Sequence, residues 1–594
     1  MLKCKNVEKE LIILKYYEII KDSRCFYTIV GANMSDSCER YAASQLQKYI
    51  YDSTGRFIPY VSDLCEKRGP EIFVGLGTRN ASRFITADDI DALGDDGFII
   101  KTLDEDILIT GKTSRGTLYG VYEFLRRFVG FRAFTKDVEK VDNLAELVVP
   151  NVYITEKPDF EYRDAYFRFA FDGAFCAKNR LNSTLGDISA EKGGNFKFFN
   201  FHHSFHDLVS EELYFESHPE YFALVDGERS AKQLCLSNPD VLEIATGTVR
   251  KWMCEHPECR VFSVAQNDNE AYCTCSECRR VYEYEGSPAG TVIPFVNKIA
   301  ESVEAERPDV LIHTFAYQYS RSAPKYARPR KNVIVRLCNI ECEWQKPFER
   351  IAEENPEGKC ADFLKNIREW SKICDRLYIW DYAVDFSNYL QPFPNFYSMA
   401  ENIRYYKRHG VKGVLEQGNF SYGGGAALDD LKSYLISHLL WNADTDEQQI
   451  IDEFCDGVYG KGARYIKEYI RLISNAVKDY RVTLYDYPDA PYLNEALIDE
   501  YDRLFVKAEE AAESDAVLQR IKREHLSIQY IKAVRIADSE ERCRATDEFA
   551  AEVRAFRLTE IMERLPLDDS FEYMKKTRYA KDRTGKRRLY YIVR

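Results

Sequence analysis

The sequence predicts an α/β protein with three parts: an N-terminal α/β sandwich, a central (β/α)8 TIM-type barrel and a C-terminal helical domain. Three observations carry this. Six short apolar stretches recur between Phe196 and Asn419, each ending in polar residues: FKFFNFHHSFHD, RVFSVAQNDNE, VLIHTFAYQYS, NVIVRLCNIECEW, RLYIWDYAVDF and VKGVLEQGN. Helical segments separate most of them, and the chain after residue 446 is rich in helical periodicity. Strands buried on both faces read as continuous apolar runs. Polar residues gathered at their C-terminal ends mark the face where a parallel barrel builds its site.

The elements follow in chain order. Residues 1–155 form a first unit of order β-α-β-β-β-α. TIVGANMS is a strand and turn, and SCERYAASQLQKYIYDSTG is an amphipathic helix closed by Gly55. EIFVGLG, a hairpin turning across Leu103–Asp106, and the helix RGTLYGVYEFLRRFVG complete it. ITGKTSRGTLYG lacks the spacing of a phosphate loop, so Gly111 and Gly116 are read as shaping a turn before a helix. Asn151–Phe160 is the linker, with Pro158 favouring extended backbone before it.

The barrel is assigned to 156–445. YRDAYFRFA is its first strand, AFCAKNRLNSTL holds a helix and a short second strand, and the six runs complete eight. Helices fit at PDVLEIATGTVRKWMCEH, GTVIPFVNKIAESVEAE, CADFLKNIREWSKIC, FYSMAENIRYYKRHG and ALDDLKSYLISHLLW. Between the fifth and sixth strands RSAPKYARPRK is too short and Pro-rich for a helix. Residues 446–594 make the helical domain, in which no chemistry is visible.

Composition narrows the function. The formal charge of −14 disfavours nucleic acid as a partner; the basic tail Lys575–Arg594 reads as a solvated C-terminus. The seventeen cysteines are scattered, which suits thiols in a reducing cytosol. MLKCKNVEKELIILKYY has no secretion-signal pattern, and no run reaches membrane-span length. A cytoplasmic location is expected, with no membrane partner.

Carboxylates at strand ends point to acid–base chemistry. The fourth strand ends at Gln266-Asn267-Asp268-Asn269-Glu270, where Asp268 is the candidate acid, or else caps the following turn. The sixth ends at Asn339-Ile340-Glu341-Cys342-Glu343, and Glu341 is the second carboxylate, since acids beside an apolar strand are costly unless paired or used. Trp380, Asp381 and Glu416 are candidate sugar contacts, as are His203, Gln266, Asn267 and Tyr317. Alternatively Trp380 is core and Asp381 pairs with Arg336. His202, His203 and His206 crowd one strand end, but no second His-rich end completes a catalytic metal site. Cys273, Cys275 and Cys278 form CxCxxC, which either holds a structural zinc with one distant fourth ligand, another Cys or a His, or is a loop of packed thiols. No other cofactor is expected.

Residues 25–135, ending ITGKTSRGTLYGVYEFLRRFVGFRAF, resemble the non-catalytic α/β domain that precedes the barrel in α-glucuronidases and β-N-acetylhexosaminidases. Residues from about 161 to 460 resemble a bacterial family of glycoside-hydrolase-like barrels through HHSF, QLCLSNP, SVAQNDN with CTCSEC, AYQYSR, VRLCNIECEW, LYIWDY and GVLEQG. The resemblance to α-glucuronidases implies an acid at the end of the fourth strand, Asp268, and a base at the sixth, Glu341. Hexosaminidases carry adjacent acids after the fourth strand, whereas here Asn269 separates Asp268 from Glu270. The expected function is a glycoside hydrolase acting on a small oligosaccharide or glycoconjugate, α-glucuronidase-like or N-acetylhexosaminidase-like. The alternatives are a carbohydrate-binding barrel without turnover and a metal-dependent hydrolase using the histidines.

Overall fold

The computed structural model describes residues 15–576, apart from 78, 80, 422 and 424. Most of the N-terminal segment read for a signal, and all of the basic tail beyond Lys576, lie outside the described residues. The chain divides into two compact units. One holds residues up to Pro158 with Gly173–Arg180 and Ile188–Gly194, and the other holds the remainder, including the C-terminal helices.

The first unit is built on a six-stranded sheet in the order Tyr153–Glu156, Phe98–Leu103, Asp106–Gly111, Glu71–Val74, Thr28–Gly31, Tyr60–Ser62. The hairpin turns between Leu103 and Asp106, which face each other in register, with Asp104 at φ 54°. Helix Ser37–Thr54 starts where Asp36 accepts from the Glu39 amide and stops at Gly55 in the left-handed region. Gly111 and Gly116 are in backbone contact: a Cβ on Gly111 would lie 2.5 Å from the Gly116 carbonyl carbon. The strand-to-helix turn is therefore closed by protein on protein, and Thr113 caps the helix by accepting from the Gly116 amide.

The second unit contains a curled parallel sheet of seven strands, in the order Tyr162–Tyr166, Gly413–Gln417, Leu377–Tyr382, Val333–Cys338, Leu311–Ala316, Val261–Ser263, Phe198–Phe199. The expected second strand is not a strand. At Leu181–Thr184 the chain instead makes single bonds: the Asn182 amide donates to Arg163 O at 3.2 Å, and the Phe196 amide donates to Asn182 O at 2.9 Å. The segment LNST carries only one large apolar residue, too few to support a ladder. Helices Pro239–Glu255, Ala289–Glu304, Lys359–Trp370, Phe396–Arg408 and Asp429–Trp441 lie where their periodicity predicts, and residues 321–331 form no helix.

Side chains alternate across the sheet. Tyr162, Phe198, Tyr378 and Trp380 all face the inner side, where their rings surround the Arg336 guanidinium at 4.9–5.9 Å. His313 packs edge-on against Phe198 at 5.6 Å. The intervening residues face the helices; Phe199, for example, packs on Trp252 of Pro239–Glu255. This parity decides which strand-end residues can reach a ligand.

Candidate functional site

Above the inner core, the chain leaves the fourth, fifth and sixth strand positions through Asp268, Tyr317 and Glu341. Tyr317 donates its phenol O–H to Asp268 at 3.1 Å, and Gln318 Nε2 donates to the same oxygen at 3.3 Å. Asp268 is exposed. Glu341 is half-buried and ion-paired with Arg321, a buried guanidinium that donates directly to it. Burial raises the Tyr317 phenol above its ordinary range, and the charges of Asp268 and Glu341 both raise it further. The buried thiol of Cys338 responds to the same two acids: burial pushes it up to about 12, with Glu341 and Asp268 adding to the shift. Asp268 and Glu341 are thus both held by the segment Tyr317–Arg321 that follows the fifth strand.

The wall is aromatic. Trp380 stacks on Phe201 with ring centres 6.0 Å apart, and donates its indole N–H to Gln417 at 2.8 Å. Tyr166 packs against Phe420 at 5.4 Å. His202 is exposed, its ring centre 3.8 Å from that of Phe201 and 6.2 Å from that of Trp380, and desolvation by these neighbours lowers its imidazole to about 4, helped by His203, Arg336 and Arg564. His203 is also lowered by burial, partly offset by its 2.6 Å bond to Gln266 O and by Asp268. Both imidazoles are therefore neutral near pH 7.

Gln266 and Asn267 are occupied by protein. Gln266 donates to Tyr317 O at 2.9 Å and accepts from Ser320 Oγ. Asn267 accepts from the amide and ring of His206, and donates to Lys232 O at 2.9 Å. They hold the strand end and its loop.

Asp381 and Glu416 must be moved out of the mouth. Trp380 faces the inner side, so Asp381, one residue on, faces the helices. Its carboxylate accepts from Asn339 at 2.8 Å, Trp344 Nε1 at 3.1 Å, the Tyr382 amide at 2.7 Å and Tyr406 O–H. It does not pair with Arg336, which lies on the opposite face. Glu416 is 1% exposed in the same sheet–helix layer, and burial, reinforced by Asp381, raises its carboxyl well above the ordinary range. Nearby Lys432 donates to Ala383 O at 2.6 Å and Phe393 O at 2.8 Å, and burial lowers its amine to about 7.

A third carboxyl reaches the mouth from the C-terminal helical region. The turn Thr559–Arg564 is anchored by Tyr389 N to Ile561 O at 2.8 Å and by Ser421 Oγ to Glu560 at 2.6 Å. The turn carries Glu563, whose charge is felt at Tyr166. Burial raises the Glu563 carboxyl; Arg564 opposes this, and Glu560 and Asp268 reinforce it. No periodicity or motif marks Glu563 in the sequence, and the C-terminal region was expected to carry no chemistry.

Two groups of residues have metal-ligand spacing among the described residues. Asp429, Asp430 and Glu524 converge, but Arg523 already pairs with all three. Cys235, Cys273, Cys275 and Cys278 bring four sulfurs within 4.8 Å of one another. The histidines join no such group among the described residues. No helix of the described residues is long and apolar enough to cross a membrane.

Comparison with known proteins agrees with this architecture. Residues 15–124 match the model described as Glycosyl hydrolase family 67 N-terminus, where the sequence resembles the α-glucuronidase N-terminal domain. Among solved structures, a GH138 enzyme targeting pectin rhamnogalacturonan II aligns at 11% identity and TM-score 0.51, covering 92% of this chain and 98% of that one. A family GH115 4-O-methyl-α-glucuronidase with specificity for decorated arabinogalactans aligns at 11% identity and TM-score 0.54, covering 89% of this chain and 76% of that one. At such identity the likeness is one of fold. No curated protein matches by sequence. The strands and loops that carry Asp268, Tyr317, Glu341 and Trp380 lie within residues 133–471, and the match over that span, more than half of the 594 residues, makes the chain a member of the family described as Domain of unknown function (DUF4838).

Proposed function

We propose that the protein is a glycoside hydrolase whose site lies at the C-terminal ends of an eight-position barrel, one position being the strandless Leu181–Thr184. The observation that carries this reading is that one segment, Tyr317–Arg321, holds both acids: Tyr317 and Gln318 donate to Asp268, and Arg321 pairs with Glu341. Glycosidic cleavage needs two carboxyl groups flanking the bond, one to protonate the leaving oxygen and one to act on the other face. Glu341, ion-paired with Arg321 at the end of the sixth strand position, takes the role of base or nucleophile. Asp268, at the end of the fourth strand position where the resemblance to α-glucuronidases puts the acid, takes that role, and Tyr317 and Gln318 fix its orientation. It gives its proton to the glycosidic oxygen as the bond to the anomeric carbon breaks. Glu341 takes a proton from the attacking water, or attacks that carbon itself. A carboxyl separation of about 6.5–9.5 Å gives the first course with inversion, and about 5–5.5 Å the second with retention. Phe420, half-buried against Tyr166, offers an apolar ring to a sugar, while Tyr166 and Trp380 are buried.

The match of residues 15–124 to a family 67 N-terminus and the fold shared with a 4-O-methyl-α-glucuronidase make uronic-acid glycosides the first substrates to try. A panel of chromogenic glycosides including uronides and N-acetylhexosaminides tests the reading. Turnover of at least one, abolished in Asp268→Asn while sugar binding persists, is the expected result. Sugar binding with no turnover of any glycoside would replace it with the alternative of a non-catalytic carbohydrate-binding barrel.

A further inference from the structure

Beside the mouth, an inserted hairpin and the loop after the fourth strand meet through sulfur. The hairpin pairs Phe222–Val225 with Glu228–Leu234, and Cys235 follows directly. The loop supplies Cys273, Cys275 and Cys278, the last in the first turn of helix Ser276–Glu285. Cys235 Sγ lies 3.7 Å from Cys275 Sγ and 4.0 Å from Cys278 Sγ, and all four sulfurs lie within 4.8 Å of one another.

These separations discriminate between chemistries. A disulfide would bring two sulfurs to about 2.05 Å, and all four cysteines are free. Four thiolates at about 2.3 Å around a tetrahedral ion stand about 3.8 Å apart along each edge. The Cys235–Cys275 and Cys235–Cys278 separations both lie close to that edge. An all-sulfur set is soft, which excludes calcium and magnesium as occupants. Cys235, Cys273 and Cys278 are buried, leaving no coordination position open to solvent on their side, as in a structural site.

The surroundings fit a metal-held module. The buried cluster here is small: Ala223, Cys235, Cys273 and Cys278, with Leu224, Val225 and Cys275 against it. A two-stranded hairpin is marginal alone, and so little apolar surface adds little to it. The backbone already presents itself to the sulfurs: the Leu224 amide points to Cys273 Sγ at 3.3 Å, and Thr274 donates its amide to Leu224 O at 2.8 Å.

We infer that Cys235, Cys273, Cys275 and Cys278 bind one structural Zn²⁺ as a tetrathiolate, which staples the hairpin to the loop that carries Asp268. Cys235 is the fourth ligand, brought from the hairpin. The stapling reaches the mouth through Gln233, two residues before Cys235. Its Nε2 donates to Asn267 O at 2.8 Å and Asn269 O at 3.1 Å, and its Oε1 accepts from the Asn267 amide at 3.1 Å. Asp268 is therefore held between the Gln233 clamp and Cys273. The zinc site stands on its own geometry; only its positioning of the acid rests on the proposed function.

The test is the metal content of the full-length chain, purified under reducing conditions without metal-affinity steps and assayed by mass spectrometry of the elements. One zinc per chain is expected, released by a mercurial titrant of thiols. Replacement by Co²⁺ should give the absorption of a tetrahedral tetrathiolate. Cys235→Ser should lower bound zinc at least about tenfold, whereas Cys65→Ser, an exposed cysteine outside the cluster, should leave it unchanged. If Cys235→Ser is insoluble, the native chain decides: zinc far below one per chain, disulfides seen by intact mass, or iron in place of zinc overturns the assignment. A chain that holds zinc but turns over no glycoside overturns the proposed function and leaves the zinc site standing.

Discussion

Tyr317 joins two strand ends at once: its phenol donates to Asp268 at 3.1 Å, and its backbone carbonyl accepts from Gln266 Nε2 at 2.9 Å. Asp268 is therefore aimed by a neighbouring strand end. Asp268→Asn should lower kcat on a cleavable glycoside by at least about 10²-fold, the scale of a general acid. Tyr317→Phe should lower it less, by about tenfold, with KM nearly unchanged. Steady-state kinetics of the two variants decide this; full activity in Asp268→Asn would remove the carboxyl from the chemistry.

Glu563 provides a pH-dependent test. Burial and the charges of Glu560 and Asp268 hold its carboxyl protonated above the ordinary carboxylate range. As pH rises through that raised value it ionises and adds negative charge to a region that includes Asp268. Glu563→Gln keeps the neutral state at every pH, so its profile of kcat/KM should lose one ionisation that the native profile shows. Superimposable profiles between pH 4 and 9 would mean that Glu563 does not communicate with the mouth.

Asp381 separates architecture from chemistry. Its carboxylate serves four donors in the sheet–helix layer. Asp381→Ala strands them, at about 1–3 kcal/mol for each buried group left unsatisfied. Urea unfolding should show a loss of at least about 3 kcal/mol, while kcat of the folded fraction stays within about threefold of native. A stable variant with no activity would return Asp381 to the site.

Glu416 gives a stability prediction with a defined sign. Its folded-state pKa is raised, so the folded chain keeps a proton that the unfolded chain releases above the ordinary glutamate value. Its contribution is present in full at acid pH and is lost as pH rises, at up to about 1.4 kcal/mol per pH unit. Glu416→Gln carries no such proton. Denaturant midpoints at pH 5 and pH 8 should therefore fall less between the two conditions in the variant than in the native chain, and equal falls would refute a raised Glu416.

The strand runs were legible because burial on both faces writes itself as unbroken apolar sequence. LNST was not, because a position held by single backbone bonds needs no apolar run. Trp380 and Asp381 were read together as sugar contacts, although neighbours on a pleated strand face opposite ways; the pleat keeps only Trp380 inside. Gln266 and Asn267 have the right chemistry for a ligand, but Tyr317 and Ser320 engage the first and His206 and Lys232 the second. Glu563 and Cys235 lie far along the chain from Asp268 and from Cys273, and only folding brings them near. One long-range partner of each kind was out of reach of local pattern: an acid from an irregular turn, and a thiol from a hairpin.

The alternation along Leu377–Tyr382 also sets how this strand tolerates change in length. Inserting or deleting one residue before Trp380 would present Asp381 to the aromatic interior around Arg336 and push the indole against Tyr406. Substitutions within the strand are open to drift, but its count of residues is fixed, and natural insertions should accumulate only beyond Tyr382, where the chain has left the sheet.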